Sequence, residues 1–183
     1  MTREFDPKRG YLAIKAHEKM LAFVGFNIRL GENDSLKEGV IKISSFRRPY
    51  GGGYLTLTFI IDTEGDEALK DQLTAVFEKL TDQSIRPKLG EYFERIAKVS
   101  LDSLADTREW YIEEVNIYFR SWEERETVVV GEKIIPALES VLPCSFDTLQ
   151  WWPENQTPRT PTHKEIQAPG SLKALFKNWF ESA

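Results

Sequence analysis

A single cysteine, Cys144, leaves this chain of 183 residues no internal disulfide, which excludes a secreted scaffold held by cross-links. No run of about 18 consecutive apolar residues occurs, so no membrane span is expected. The first residues, Met1-Thr2-Arg3-Glu4-Phe5-Asp6, carry charge with no apolar stretch behind it, and no secretory signal is read there. Asn155-Gln156-Thr157 matches a glycosylation sequon, but so short a match arises readily by chance. Histidine is scarce as well. His17 and His163 are the only two, neither has a partner at metal-ligand spacing, and there is no His-Glu-x-x-His or Cys-x-x-Cys. No Gly-x-Ser-x-Gly elbow marks a serine hydrolase. Basic residues are outnumbered, 24 against 29 acidic ones, and the net charge of −5 argues against a general phosphate-backbone binder while leaving room for a local basic patch. The expectation is a cytoplasmic, non-catalytic protein with no cofactor, no metal and no membrane partner.

Large side chains are abundant. Eleven Phe, six Tyr and five Trp supply enough apolar area for one core. Asp6-Pro7 is a helix-start pair, and Leu12, Ala16, Met20, Phe23 and Val24 recur at helical spacing before Gly25, predicting a helix over 7–24. Phe26 to Leu30 alternates as a strand, and Val40 to Phe46 reads as a second. Tyr54 to Ile61 is the clearest strand, joined to the one before it by Pro49-Tyr50-Gly51-Gly52-Gly53 as an antiparallel hairpin. Leu69, Leu73, Val76, Phe77 and Leu80 mark a second helix. Pro87 is read as opening a third, with Leu89, Tyr92, Phe93, Ile96 and Val99 inward. Trp110 to Trp122 reads as a strand with a bulge near Glu113-Glu114. Over 127–142, Val128-Val129-Val130 favours a strand by propensity, whereas Ile134, Leu138, Val141 and Leu142 favour a helix; either Gly131 divides the two or a single helix covers both, and helix is expected after about residue 131.

Beyond Pro143 the composition shifts. Pro153, Pro158, Pro161 and Pro169 suggest an extended segment, and Ser171 can cap a short helix with Leu172, Leu175, Phe176 and Trp179 on one face. The fold expected is α+β: a largely antiparallel sheet of about four strands, helices packed on one face, and an extended C-terminal tail ending in an amphipathic helix. A globular domain over 1–148 and an aromatic, proline-rich tail over 149–183 are the expected divisions.

Several residue groups invite a functional reading. Asp62, Glu64, Asp66 and Glu67 can ligate a cation, but capping of the helix that follows is the plainer account. Gly51-Gly52-Gly53 lacks the Gly-Lys-Ser/Thr ending of a phosphate loop and reads as a turn. Cys144 beside Pro143 reads as a partly buried thiol rather than a nucleophile. Arg47, Arg48 and Tyr50 at the hairpin tip can contact an anion or nucleic acid, or simply guard a sheet edge. Trp151, Trp152, Phe176 and Trp179 make the tail the strongest candidate for partner binding, whether it covers its own domain or docks on another chain. Pro158-Arg159-Thr160-Pro161 has the spacing of a polyproline ligand.

The order of a helix ending in Gly25-Phe26, strands carrying Ser44-Ser45, and a glycine turn resembles, in architecture and acidity, small bacterial domains of the toxin-immunity kind. The likeness covers roughly residues 7–142, has no specific motif, and transfers no residue roles. The function expected is a non-catalytic protein-binding module of the immunity, inhibitor or accessory-factor type, its partner a second protein or another copy of the chain. Nucleic-acid binding through the hairpin tip is the alternative, and an enzyme with a site assembled only by the fold is the third.

Overall fold

The computed structural model describes residues 19–31, 35–49, 51–100, 110–122 and 124–151. Three long strands open it: β1 (Lys19–Leu30), β2 (Ser35–Arg47) and β3 (Gly53–Asp62), each antiparallel to the next. Two helices follow, α1 (Glu67–Phe77) and α2 (Asp82–Leu89), then strands β4 (Phe93–Ser100) and β5 (Trp110–Phe119). A helix in three joined pieces, Glu126–Val128, Val129–Ile134 and Ile135–Val141, is together α3; two short strands, β6 (Cys144–Phe146) and β7 (Gln150–Trp151), come last. The sheet has seven strands in the order β4-β5-β3-β2-β1-β6, with β7 also paired to β1. The fold is therefore α+β with a large antiparallel sheet and three helices among the described residues, and the sheet is larger than the four strands expected. No helix among the described residues is long and apolar enough to cross a membrane.

The register explains where the core lies. Val24, Ile41 and Phe59 are paired in line across three strands, as are Ala22, Ile43, Leu57 and Val115, so successive rows of apolar side chains face one side. Leu69, Leu73 and Phe77 of α1, Ile85 and Leu89 of α2, and Val130, Ile134 and Leu138 of α3 close over that side in one cluster. Its centre is a chain of rings: Phe26 and Phe59 at 5.9 Å, Phe59 and Phe77 at 4.8 Å, Phe77 and Tyr111 at 5.7 Å. Such contacts add about 0.5–1.5 kcal/mol each beyond area burial. The other face of the sheet is also well shielded: Val40, Thr56, Thr58, Ile60 and Ile112 are buried without belonging to that cluster.

Local signals place the helices. Asp66 accepts from Ala68 N and Leu69 N at 3.0 and 3.2 Å and so caps α1. Thr81 and Ser84 form a reciprocal capping box at the start of α2. Within α3, Pro136 has no N–H to donate, and its ring crowds the carbonyl four residues back. The turn before it is widened to a π-helix over Val129–Ile134, where Ile135 N reaches Val130 O. Val128-Val129-Val130 is thus helical despite its strand propensity, because Val129 and Val130 are buried in the core.

Four expectations are corrected. Residues 19–24 of the expected first helix begin β1, and 7–18 lie outside the described residues. A bulge between Met20 and Ala22, and burial on both faces of the strand, produce an apolar run that periodicity cannot tell from a helix. The helix expected from Pro87 onward instead ends at Leu89, with Gly90 at φ +86°, and β4 follows. Here a bulge between Phe93 and Arg95 puts Phe93 and Ile96 opposite Phe119 and Ile117, so that residues three apart share a face as they would on a helix. The bulge expected at Glu113-Glu114 does not occur, since β5 runs opposite β3 in unbroken register. What looks like a change of phase is a carboxylate, Glu113, in a core-facing position opposite Phe59. Finally, β4, β6 and β7 add to the expected strands.

Candidate functional site

The β2–β3 hairpin tip brings aromatic and basic side chains together. Arg47 and Arg48 are neighbours in sequence but diverge in space. Arg47 reaches the first turn of α3, where its Nε bonds Glu126 Oε1 at 2.9 Å and its Nη2 bonds Glu124 O at 3.4 Å. Its guanidinium also lies 5.1 Å from the ring centre of Trp122, which itself meets Phe119 edge to face at 5.4 Å. Burial pushes the Glu126 carboxyl up, but the Arg47 hydrogen bond, a main-chain hydrogen bond and the charges of Arg47 and Lys19 together hold it below its ordinary value. Arg47 is thus engaged within its own chain.

Arg48 turns instead toward Tyr118, 5.7 Å from the ring centre. Arg95, on β4, stacks on the same ring at 3.9 Å. This follows from register: Phe46, Tyr54, Tyr118 and Arg95 are successive cross-strand partners on the face away from the helices. Their rings form a column, Phe46 and Tyr54 at 5.4 Å with planes 28° apart, and Tyr54 and Tyr118 at 5.2 Å and 43°. Tyr50 lies outside the described residues. The tip is held by Gly52 at φ +70°, where a Cβ would lie 2.5 Å from Phe119 O, so the glycine run is required by backbone conformation and close approach.

A small cavity of about 30 Å³ opens beside Trp122, with Leu89, Phe119 and Val129 in its wall and the Glu124–Lys133 ion pair (2.7 Å) alongside. Among the described residues, Trp122 Nε1 is buried with no acceptor. That volume admits a water molecule or little more. A larger, open cleft of about 390 Å³ lies between the β1–β2 turn and the start of α1, but the Asp66 carboxylate in its wall is already engaged as the α1 cap.

Elsewhere, Tyr111 OH donates to Glu113 Oε2 at 2.9 Å inside the core. Burial raises the Glu113 carboxyl above its ordinary value, opposed by the Tyr111 hydrogen bond and the Lys98 charge. Lys98 Nζ donates to Phe77 O at 2.8 Å, satisfying a carbonyl at the C-terminal end of α1. Neither of the cavities described above is lined by Tyr111 or Glu113. Cys144, opposite Ile28 on β6, has its thiol pushed up to about 12, first by burial and then by Glu139, so it is protonated at neutral pH. Among the described residues no group of three or more His, Cys, Asp or Glu side chains gathers.

Trp151 sits on β7, opposite Ala22 at one side of the sheet, and is 41% exposed; nearby Leu149 packs against the core. Trp152, Phe176, Trp179 and His163 lie outside the described residues, as does His17. The structure thus separates Trp151 from the hairpin tip and joins to that tip residues not singled out by sequence: Arg95, Tyr118, Trp122 and Glu126. Tyr54 and Tyr118 were visible as aromatics in alternating strands. Arg95 was not, because the bulge in β4 imitates a helix. Comparison with protein-family models, with curated proteins and with solved structures finds no match.

Proposed function

We propose that this chain is a non-catalytic protein-binding module of the immunity, inhibitor or accessory-factor kind. The observation that carries this reading is Trp151, a large side chain left 41% exposed on a two-residue strand at the flank of the sheet. Tryptophan is enriched among the residues that dominate binding energy at interfaces, and exposing one costs a monomer solubility without gaining it stability. The Cys144 thiol, protonated at neutral pH, is a poor nucleophile. Nucleic acid at the hairpin tip draws less support, because Arg47 is paired with Glu126 and the aromatic faces of Phe46, Tyr54 and Tyr118 are turned on one another.

The test is capture from native lysate by the full-length chain and by its Trp151→Ala variant, with the bound proteins identified by mass spectrometry. A partner retained by the parent and depleted on Trp151→Ala is expected. Empty eluates from both would overturn the reading.

A further inference from the structure

We propose that Arg95 and Arg48, set against Tyr118 on the sheet face away from the helices, form a docking site for the carboxylates of an acidic segment of a partner protein. This rests on the protein-binding reading and names the chemistry the partner presents.

The argument starts from the neighbouring arginine. Arg47 shows the complete arrangement: a guanidinium over an aromatic ring, its N–H edge bound to a carboxylate, with Trp122 as the ring and Glu126 as the acid. Arg95 repeats the stack on Tyr118 at 3.9 Å, closer than Arg47 on Trp122. A guanidinium whose flat face is taken by a ring still presents its N–H groups in plane, where they match the two oxygens of a carboxylate. Other arginines at this end of the sheet donate to main-chain carbonyls, Arg86 to Glu94 O and Arg120 to Glu91 O. Arg48 and Arg95 are both exposed, and neither has a carboxylate or carbonyl side-chain partner among the described residues. Because both point at one ring, neighbouring carboxylates on one short segment can engage both.

The same geometry selects among anions. A base-stacking platform needs open aromatic faces. Here the faces are used within the column, ring against ring and finally ring against Arg95. The net charge of −5 repels any polyanion, and it opposes a polyphosphate strand charged along its whole length more than a short segment that places two carboxylates on this pair of cations.

Titration of the full-length protein with a short oligoglutamate peptide at low ionic strength tests the site, read by the arginine Nε–Hε signals in NMR. The Arg48 and Arg95 signals should shift on titration while that of Arg47 stays in place. Arg48→Ala and Arg95→Ala should each weaken the peptide by about twofold to fivefold. Arg95→Lys, which keeps the charge but loses the planar fork, should weaken it as well. Unmoved signals, or binding unchanged in all three variants, would overturn the site. So would an oligothymidylate that moves the same arginine signals at lower concentration than the peptide, since the anion would then be phosphate. Loss of peptide binding with Trp151-dependent capture intact sinks this site alone; loss of that capture with peptide binding intact sinks only the Trp151 surface.

Discussion

The contact between Arg47 and Glu126 ties the hairpin tip to the start of α3, and its strength can be worked from its surroundings. The Arg47 side chain is 46% exposed and that of Glu126 15%, with 2.9 Å between Nε and Oε1. A fully exposed pair is worth about 0–1 kcal/mol, while breaking a buried one costs about 3–5 kcal/mol. Half-exposed arginine pulls this pair toward the lower range, giving a coupling of about 1 kcal/mol. Arg47→Ala should cost more, about 1.5–2.5 kcal/mol, because it also removes the Trp122 contact and leaves the carboxylate unpaired. Glu126→Gln should cost about 1 kcal/mol, since an amide oxygen can still accept from Nε.

The assay is urea unfolding at neutral pH of the parent, both single variants and the double variant, with the coupling taken from the cycle. Acid adds a second arm. The Glu126 carboxyl is held below its ordinary value of 4.5. Its contribution is therefore complete above that value and is lost as pH falls through the lowered one. Arg47→Ala should flatten this acid limb. A coupling below about 0.3 kcal/mol, or one that survives protonation of the carboxyl, would refute the reasoning and leave Arg47 available to a ligand.

Gly52→Ala should destabilise by about 2–4 kcal/mol in the same assay, combining a left-handed alanine with a Cβ driven against Phe119 O; a loss under about 0.5 kcal/mol would show the turn to be adaptable. Glu113, whose carboxyl is raised above its ordinary value of 4.5, favours the folded state most when protonated, so its contribution is lost as pH rises from that value through the raised one. Glu113→Gln, which keeps an acceptor for Tyr111, should remove that decline and stabilise the protein at neutral pH, and an unchanged pH profile would count against it. The Cys144 thiol, at about 12 against an ordinary value of 9.0, holds about a thousandth of the ordinary thiolate. Labelling by a disulfide reagent at mildly alkaline pH should be slow in the folded chain and fast in urea, and equal rates would be inconsistent with that burial.

Much of the molecule was legible in the residue order, for identifiable reasons. Tyr54 to Ile61 alternates over a full strand, and β3 occupies Gly53–Asp62. The glycine run after Pro49 marks the tight turn between antiparallel β2 and β3, and Asp66 ahead of the Leu69-Leu73 stripe marks the cap of α1. These signals are local, carried by a few consecutive residues and the backbone geometry they prefer. Other features depended on contacts far along the chain. The bulges in β1 and β4 shift the period of apolar residues from two toward three, and only pairing with β2 and β5 shows them to be strands. Val128-Val129-Val130 follows the core instead of its propensity.

The sequence by itself determined the fold class, the hairpin with its two arginines, and the exclusion of a disulfide within the chain, because composition and short-range spacing suffice for each. The tertiary structure alone decided which arginine is paired. Arg47 and Glu126 stand 79 residues apart, and Arg95 meets Tyr118 only because strands distant in sequence lie side by side. A guanidinium's partner is set by register and by which face of the sheet its strand presents, and neither can be read from its immediate neighbours.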